Sequence, residues 1–288
     1  MERSDIGGLL NRHGFKFSKS MGQNFLIDAN IPDKIVRLAE IGMSDGALEV
    51  GPGIGALTKR LAQAARRVVA VELDRRLIPI LNEMFAASAN VEIVHGDILK
   101  LDIAKLVSEK MPGLERHVCA NLPYNITTPA LRVFIEAGVF NTITVMVQRE
   151  VARRICAKPG TSEYGAFTVY ANYHTQPKIL FDVPPECFMP RPKVVSSVLT
   201  MRTRPERMLA PGDEAMFFRV VRAAFRQRRK TLVNALHAEF GSVVTKDEIA
   251  KFITQCGFDE KIRGETFGID EFARLSECFS PLAAQGPF

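Results

Sequence analysis

Residues 47–62 read ALEVGPGIGALTKRLA. The opening ALEV has the apolar character of a short buried strand. Gly51, Gly53 and Gly55 break it at alternate positions, and ALTKRLA resumes with helical spacing. Glycine lets a backbone turn sharply and approach a ligand closely. A strand, a glycine turn and a helix in that order open a βαβ unit. In open α/β sheets the carboxyl end of such a strand is where ligands bind. The spacing here is G-x-G-x-G rather than the G-x-G-x-x-G of dinucleotide folds. By itself such a turn also serves as a plain strand–helix connection.

The same alternation continues outward. Residues 67–72 (RVVAVE), 91–97 (VEIVHGD), 117–122 (HVCANL) and 142–148 (TITVMVQ) read as further buried strands. Segments 55–65, 74–86 and 127–137 between them read as helices. Strands alternating with helices imply a parallel sheet covered on both faces. Two more strands, KILFDVP (178–184) and VVSSVLTM (194–201), are joined only by the Pro-rich PPECFMPRPK. So short a link leaves no room for a helical crossover, and the pair is expected antiparallel. The expectation is a mixed sheet ending in an antiparallel hairpin.

The polar stretch TRPERMLAPGDE (203–214) reads as a linker. Beyond it the pattern is helical to the end, which divides the chain into an α/β domain over residues 1–205 and a small all-helical domain over 206–288. FFRVVRAAFRQRRKTLVNAL (217–236) is expected to form one helix, with Phe218, Val221, Phe225, Leu232 and Leu236 on an apolar stripe. Arg219, Arg222, Arg226, Arg229 and Lys230 lie beside it as a basic stripe, either a solvated face or a track for phosphates.

The 288 residues carry a net charge of +6, which favours an anionic partner. The five cysteines include no C-x-x-C pair and the histidines have no metal-ligand spacing, so neither a disulfide framework nor a metal site is expected. The start of the chain lacks the apolar core of a signal peptide, and no apolar run is long enough to span a membrane. A soluble cytoplasmic protein without membrane association is expected. A monomer is expected too, since no feature demands an interface.

Glu72 closes the second strand about twenty residues after the glycine turn, where a carboxylate can accept hydrogen bonds from both ribose hydroxyls of a nucleoside. Asp97 closes the third strand, within reach of an adenine amino group. Together these strand ends imply a nucleoside-containing cofactor, with NAD and S-adenosylmethionine the candidates. Asn121-Leu122-Pro123-Tyr124, after the fourth strand, decides between them. The exocyclic amine of adenine is a poor nucleophile because its lone pair is delocalised. Two acceptors aimed at its protons, the Asn121 side-chain oxygen and the Leu122 carbonyl, favour the tetrahedral geometry that can attack a methyl sulfonium. Pro123 stiffens the turn, and Tyr124 offers a face on which a flipped base can stack.

These residues and others along the chain resemble a known family. The landmarks are K-x-x-G-Q-N-F-L-x-D (Lys19–Asp28), E-V-G-P-G-I-G-A-L-T (Glu49–Thr58), V-E-L-D (Val71–Asp74), G-D (Gly96–Asp97) and N-L-P-Y-N (Asn121–Asn125). V-Q-R-E-V-A-x-R (Val147–Arg154), F-x-P-x-P-K-V-x-S (Phe188–Ser196) and A-F-x-Q-R-R-K-T-L (Ala224–Leu232) follow. The chain thereby resembles, over nearly its whole length, the bacterial small-subunit ribosomal RNA adenine dimethyltransferases. The resemblance implies a class I, Rossmann-like S-adenosylmethionine-dependent methyltransferase fold with a helical C-terminal domain. It implies cofactor contacts from Asn24, Leu26, Gly51, Gly53, Glu72, Asp97 and Asn121, and base stacking by Phe188 opposite Tyr124. From its residues alone, Phe188 is an aromatic in a Pro-rich loop, more often core than platform. The implied reaction is dimethylation of N6 in two adjacent adenines of the hairpin loop near the 3′ end of 16S rRNA, within the immature small ribosomal subunit. Arg149, Arg153, Arg222, Arg226, Arg229 and Lys230 are the expected RNA contacts. The basic segment 11–25 reads as a loop that can close over the site. Cys119 stands where the family suggests valine or isoleucine and is expected to pack alike. A large-subunit rRNA dimethylase, a DNA adenine methyltransferase and an RNA-binding assembly factor are the competing readings.

Overall fold

The computed structural model describes Gly8, Arg12–Gly14, Asn24–Glu206 and Met208–Ala283. Most of the segment 11–25 therefore lies outside the described residues. By its contacts the chain forms two compact units, residues 1–152 with 177–203, and residues 153–176 with 204–288.

The first unit is built on a seven-stranded sheet in the order β4-β3-β2-β5-β6-β9-β7. Its strands are β2 (Asp45–Val50), β3 (Arg67–Glu72), β4 (Val91–His95), β5 (Glu115–Asn121), β6 (Thr142–Gln148), β7 (Thr175–Val183) and β9 (Ser196–Thr203). β2 pairs in parallel with β3 and β5, β3 with β4, and β5 with β6. β9 runs antiparallel to β6, with Gln148 opposite Ser196, and β7 lies outside it at the edge. Parallel strands need crossovers, and helices supply them: α2 (Ala56–Ala64), α3 (Ile78–Met84), α4 (Ile103–Lys110) and α5 (Thr127–Ala137) follow β2, β3, β4 and β5 in turn. α1 (Asn30–Leu38) precedes β2. Helices over a sheet bury both of its faces, which is why β2 is buried throughout and the central strands read as continuous apolar runs. A separate two-stranded pairing joins β1 (Phe25–Leu26) to β8 (Phe188–Met189), with Leu26 opposite Phe188.

The second unit is helical. α6 (Arg149–Ile155) leads into it from β6, and α7 (Ala166–His174) belongs to it, followed by α8 (Pro211–Arg226), α9 (Leu232–Phe240), α10 (Lys246–Gln255), α11 (Ile269–Glu277) and α12 (Ser280–Ala283). Residues 153–176 lie within the first domain in the sequence reading. In the structure Tyr164, Val169 and Tyr173 share one core with Phe217, Val221, Leu232, Phe240, Phe272 and Phe279. The composition shift near residue 205 marks only the last of three crossings between the units.

The segment 217–236 is not one helix. α8 ends at Arg226, and Gln227–Thr231 form a turn before α9. The break lets Leu232 donate its N–H to the Ile262 carbonyl at 2.7 Å. It also turns Arg228 inward, where Nε meets Glu265 and the two terminal nitrogens reach the Ser162 and Thr161 carbonyls at 2.6 and 2.8 Å.

Candidate active site

The carboxyl ends of β2, β3 and β5, with the loop after β4, surround a cavity of about 410 Å³. Asn24, Leu26, Gly51, Gly53, Glu72, Asp97 and Asn121 all line it, as do Leu122, Pro123 and Tyr124. The fold thus brings these ten residues from five separate segments to one cavity.

The glycine turn is shaped for this place. Gly51, Gly53 and Gly55 all have left-handed φ, at 66°, 59° and 72°, a region that costs other residues on the order of 1–2 kcal/mol. A Cβ on Gly53 would lie 2.7 Å from the Phe25 ring, and one on Gly51 would touch Pro123 at 3.6 Å. The turn is therefore packed tightly beneath β1 and beside the Asn121–Tyr124 turn, with its backbone facing the cavity.

Glu72 is held from the protein side. Its carboxylate accepts the Gly53 N–H at 3.3 Å and the Asp74 N–H at 2.8 Å. Burial raises its pKa, while those N–H donors pull the other way. Asp97 accepts the Leu99 N–H at 3.0 Å, which fixes its carboxylate at the start of the loop after β4.

Glu49 is a site residue that the motif reading passes over. It is 1% exposed, lines the cavity, and its Oε2 has no hydrogen-bond partner among the described residues. Burial, with the nearby Glu72 charge adding to it, pushes its pKa up to about 8, against a lowering by Thr58. The signal in the sequence is a carboxylate inside the apolar stretch Ala47–Val50, which is costly unless a ligand or proton balances it.

Asn121 ends β5. Its Nδ2 donates to the Asn24 carbonyl at 3.3 Å, which leaves Oδ1 as the acceptor of the side chain. The Leu122 N–H donates to the Met146 carbonyl at 3.1 Å and fixes that peptide against β6. Pro123 leads into a single 3-10 turn, Tyr124–Ile126. The Tyr124 hydroxyl lies 2.7 Å from the Ser196 Oγ, and burial raises its pKa.

Phe188 is not brought to the cavity wall. It is 3% exposed and packs in the core with Leu26, Cys187 and Val198, because its backbone pairs with Leu26 and turns the ring inward. The plain core reading of that aromatic describes its place in this conformation. Cys119 is fully buried in the same core, as expected. The described side chains include one carboxylate–histidine group within metal-ligand reach, Asp45, Glu115 and His117. It sits at the amino ends of β2 and β5, the opposite ends of those strands from the cavity.

The expected RNA contacts separate into kinds. Arg153, Arg222, Arg229 and Lys230 are exposed. Arg149 lies 3.8 Å from Asp182. Arg226 is exposed but bonds Glu239 at 2.9 Å. Arg219 meets the same carboxylate at 3.0 Å and lies over the Phe240 ring. The basic stripe is thus partly spent on pairs within the helical unit.

Comparison with known proteins decides the family. Residues 14–277 match the model of the family described as ribosomal RNA adenine dimethylase. The chain belongs to the ribosomal RNA adenine dimethylase family. Two curated relatives carry the name ribosomal RNA small subunit methyltransferase A. The one from Geobacillus kaustophilus is 46% identical over 95% of this chain and 94% of its own length. The one from Bacillus mycoides is 46% identical over 94% of each. Among solved structures, a dimethyladenosine transferase from Plasmodium falciparum superposes with a TM-score of 0.73 at 25% identity, over 87% of this chain and 95% of that one. The 23S rRNA methyltransferase ErmE superposes with a TM-score of 0.69 at 26% identity, over 88% and 99%. The mixed sheet with helical C-terminal part is therefore the fold of known rRNA methyltransferases.

Proposed function

We propose that this dimethylase acts on the small ribosomal subunit, transferring two methyl groups from S-adenosylmethionine to N6 of each of two adjacent adenines in the hairpin loop near the 3′ end of 16S rRNA. The observation that carries the reading is the Asn121–Tyr124 turn on the same cavity wall as the glycine turn, Glu72 and Asp97. The 46% identity to relatives named for the small subunit favours that subunit over the large one.

The cavity fits the cofactor. Glu72, fixed by two N–H donors, keeps lone pairs for the ribose hydroxyls, and Asp97 for the adenine amine. The unpartnered Oε2 of Glu49 suits a cationic ligand, because a positive group in the cavity would offset the cost of a buried carboxylate. S-adenosylmethionine supplies a methyl group already activated on a positively charged sulfur. The protein's task is then positioning and charge stabilisation. Asn121 Oδ1 and the Leu122 carbonyl accept the N6 hydrogens and favour the tetrahedral amine; at each transfer N6 gains the methyl, S-adenosylhomocysteine is the leaving group, and one N6 proton passes to solvent. Tyr124 stacks on the flipped adenine. Phe188 reaches the base only by rotating out of the core, so Tyr124 carries the stacking in this conformation.

Residues 206–288, a helical domain, bind the rRNA backbone through Arg222, Arg229 and Lys230, with Arg226 shared with Glu239. Arg149 and Arg153 add contacts from α6. Neutralised phosphates release counterions, which gives a sequence-independent and salt-dependent affinity. The substrate is rRNA within the immature small subunit, the enzyme works as a cytoplasmic monomer, and its release accompanies subunit maturation. No described helix is long and apolar enough to cross a membrane.

The test is to incubate the protein with labelled S-adenosylmethionine and unmodified small subunits, then map the label by mass spectrometry. Dimethyladenosine in the 3′-terminal hairpin is the expected result. Label in large-subunit rRNA or in DNA overturns the substrate and keeps the chemistry.

A further inference from the structure

We infer that Ser196 is a positioning residue for the Tyr124 ring and thereby governs how fully the adenine is carried from the monomethyl to the dimethyl product. This rests on the reading above, in which the target base stacks on Tyr124. The torsion that turns a tyrosine ring has a broad, two-fold profile, so rotamer preference alone leaves the ring plane loosely set. Tyr124 also stands in a single 3-10 turn, a short element with weak hydrogen-bond geometry. A stacking face must nonetheless hold one plane against the cavity.

The far end of the ring supplies the missing restraint. The Tyr124 hydroxyl lies 2.7 Å from Ser196 Oγ. Ser196 is the first residue of β9, fully buried, and paired with Gln148, the last residue of β6, between β6 and the edge strand β7. Its neighbour Ser197 is equally buried and donates to Asp182 at 2.6 Å, so the strand start is held on both sides of its pleat. A buried hydroxyl costs stability unless it is hydrogen-bonded. Alanine would fit the same space without that cost. Tyr124 is the partner that accounts for a serine at this point. The ring is thus tied at its base by the Pro123 turn and at its tip by the sheet.

Dimethylation makes a particular demand on such a platform. The second transfer uses an amine that already bears a methyl group, so the range of base orientations that bring its lone pair in line is narrower. A ring free to tilt lowers the second rate more than the first. Losing the Ser196 hydroxyl therefore slows turnover and leaves monomethyladenosine behind, while the cofactor contacts, which lie on other residues, are untouched.

The experiment is a cycle of four proteins: wild type, Ser196→Ala, Tyr124→Phe and the double variant. For each, kcat and KM are measured on unmodified small subunits, cofactor affinity is measured by calorimetry, and the ratio of mono- to dimethyladenosine is read by mass spectrometry. Expected for Ser196→Ala are a kcat about tenfold lower, cofactor affinity within about twofold of wild type and a raised monomethyl fraction. The double variant should be no worse than Tyr124→Phe, because both changes break one bond. Equal kcat and product ratio in Ser196→Ala and wild type overturn the inference. So do multiplicative losses in the double variant, which place the serine's effect elsewhere. If Ser196→Ala does not fold, Tyr124→Phe breaks the same bond from the cavity side, and wild-type behaviour there overturns the inference as well. A wild-type protein that methylates no rRNA defeats the functional reading instead, a result seen before any variant is compared.

Discussion

The sheet unit and the helical unit bury different chemistry. Around the cavity, carboxylates are buried at strand ends: Glu72 spends its protein hydrogen bonds on backbone N–H groups, and Glu49 keeps an oxygen with no partner among the described residues. In the helical unit burial is aromatic and closed. Phe217 lies 5.0 Å from Tyr173, Phe240 lies 4.8 Å from Phe279, and the Tyr164 hydroxyl donates to the Phe267 carbonyl at 2.8 Å. There Arg219 and Arg226 share the Glu239 carboxylate and Arg228 meets Glu265. A region that leaves a buried carboxylate oxygen unpartnered at a cavity is prepared for a ligand, and a region whose buried aromatics close on one another is prepared for stability.

Substitutions sharpen that contrast, beginning where the effect is greatest. Phe217→Ala removes a fully buried ring from the aromatic core and should cost about 3–5 kcal/mol of unfolding free energy in denaturant titration. Asn121→Ala should show the reverse profile. Methyl transfer falls by about 10²–10³, while circular dichroism and the unfolding midpoint stay near wild type. Normal turnover by that variant would break the contrast at its centre.

Glu49→Gln tests the unsatisfied carboxylate through pH. The folded pKa of Glu49, about 8, lies above its ordinary 4.5. Between these values the folded state holds a proton that the unfolded state releases, so this group lowers wild-type stability as pH rises, at a limiting slope of about 1.4 kcal/mol per pH unit. Below the ordinary value the contribution is absent, and above about 8 the loss is complete. The variant should therefore gain stability relative to wild type across that window, read from unfolding at several pH values. A constant difference would mean that Glu49 is charged throughout.

The smallest effects lie on the basic surface. Arg222→Ala, at an exposed position, should reduce the salt dependence of RNA affinity by about one unit of slope and leave stability alone. Arg219→Ala should do the opposite. It breaks a largely buried pair with Glu239 and a contact with Phe240, costing about 1 kcal/mol in stability with the slope unchanged. Equal slopes in both variants would erase the distinction between the exposed Arg222 and the paired Arg219.

Legibility in the sequence follows the same division. The glycine turn, Glu72, Asp97 and Asn121–Tyr124 can be read because each stands where an apolar strand ends, and the topology then gathers those ends at one side. The bond between Tyr124 and Ser196, 72 residues apart, has no local signature. Neither does the pairing of Arg219 and Arg226 with Glu239, which turns a basic stripe into an internal network. Phe188 shows the limit of a motif: the letters are present, while the pairing of its strand decides that the ring faces inward. Residues 153–176 fall inside the stretch 1–205 by composition, because nothing in that composition marks their packing with the helices that follow residue 204.

The contact between Gly53 and Phe25 bears on the history of the chain. The ring occupies the volume that a Cβ at position 53 would need, so neither position can drift by itself. An alanine at 53 is admissible only in a lineage where position 25 has already become smaller, and a smaller residue at 25 opens a gap that glycine cannot fill. Across relatives, these two positions should vary as a pair or remain fixed together.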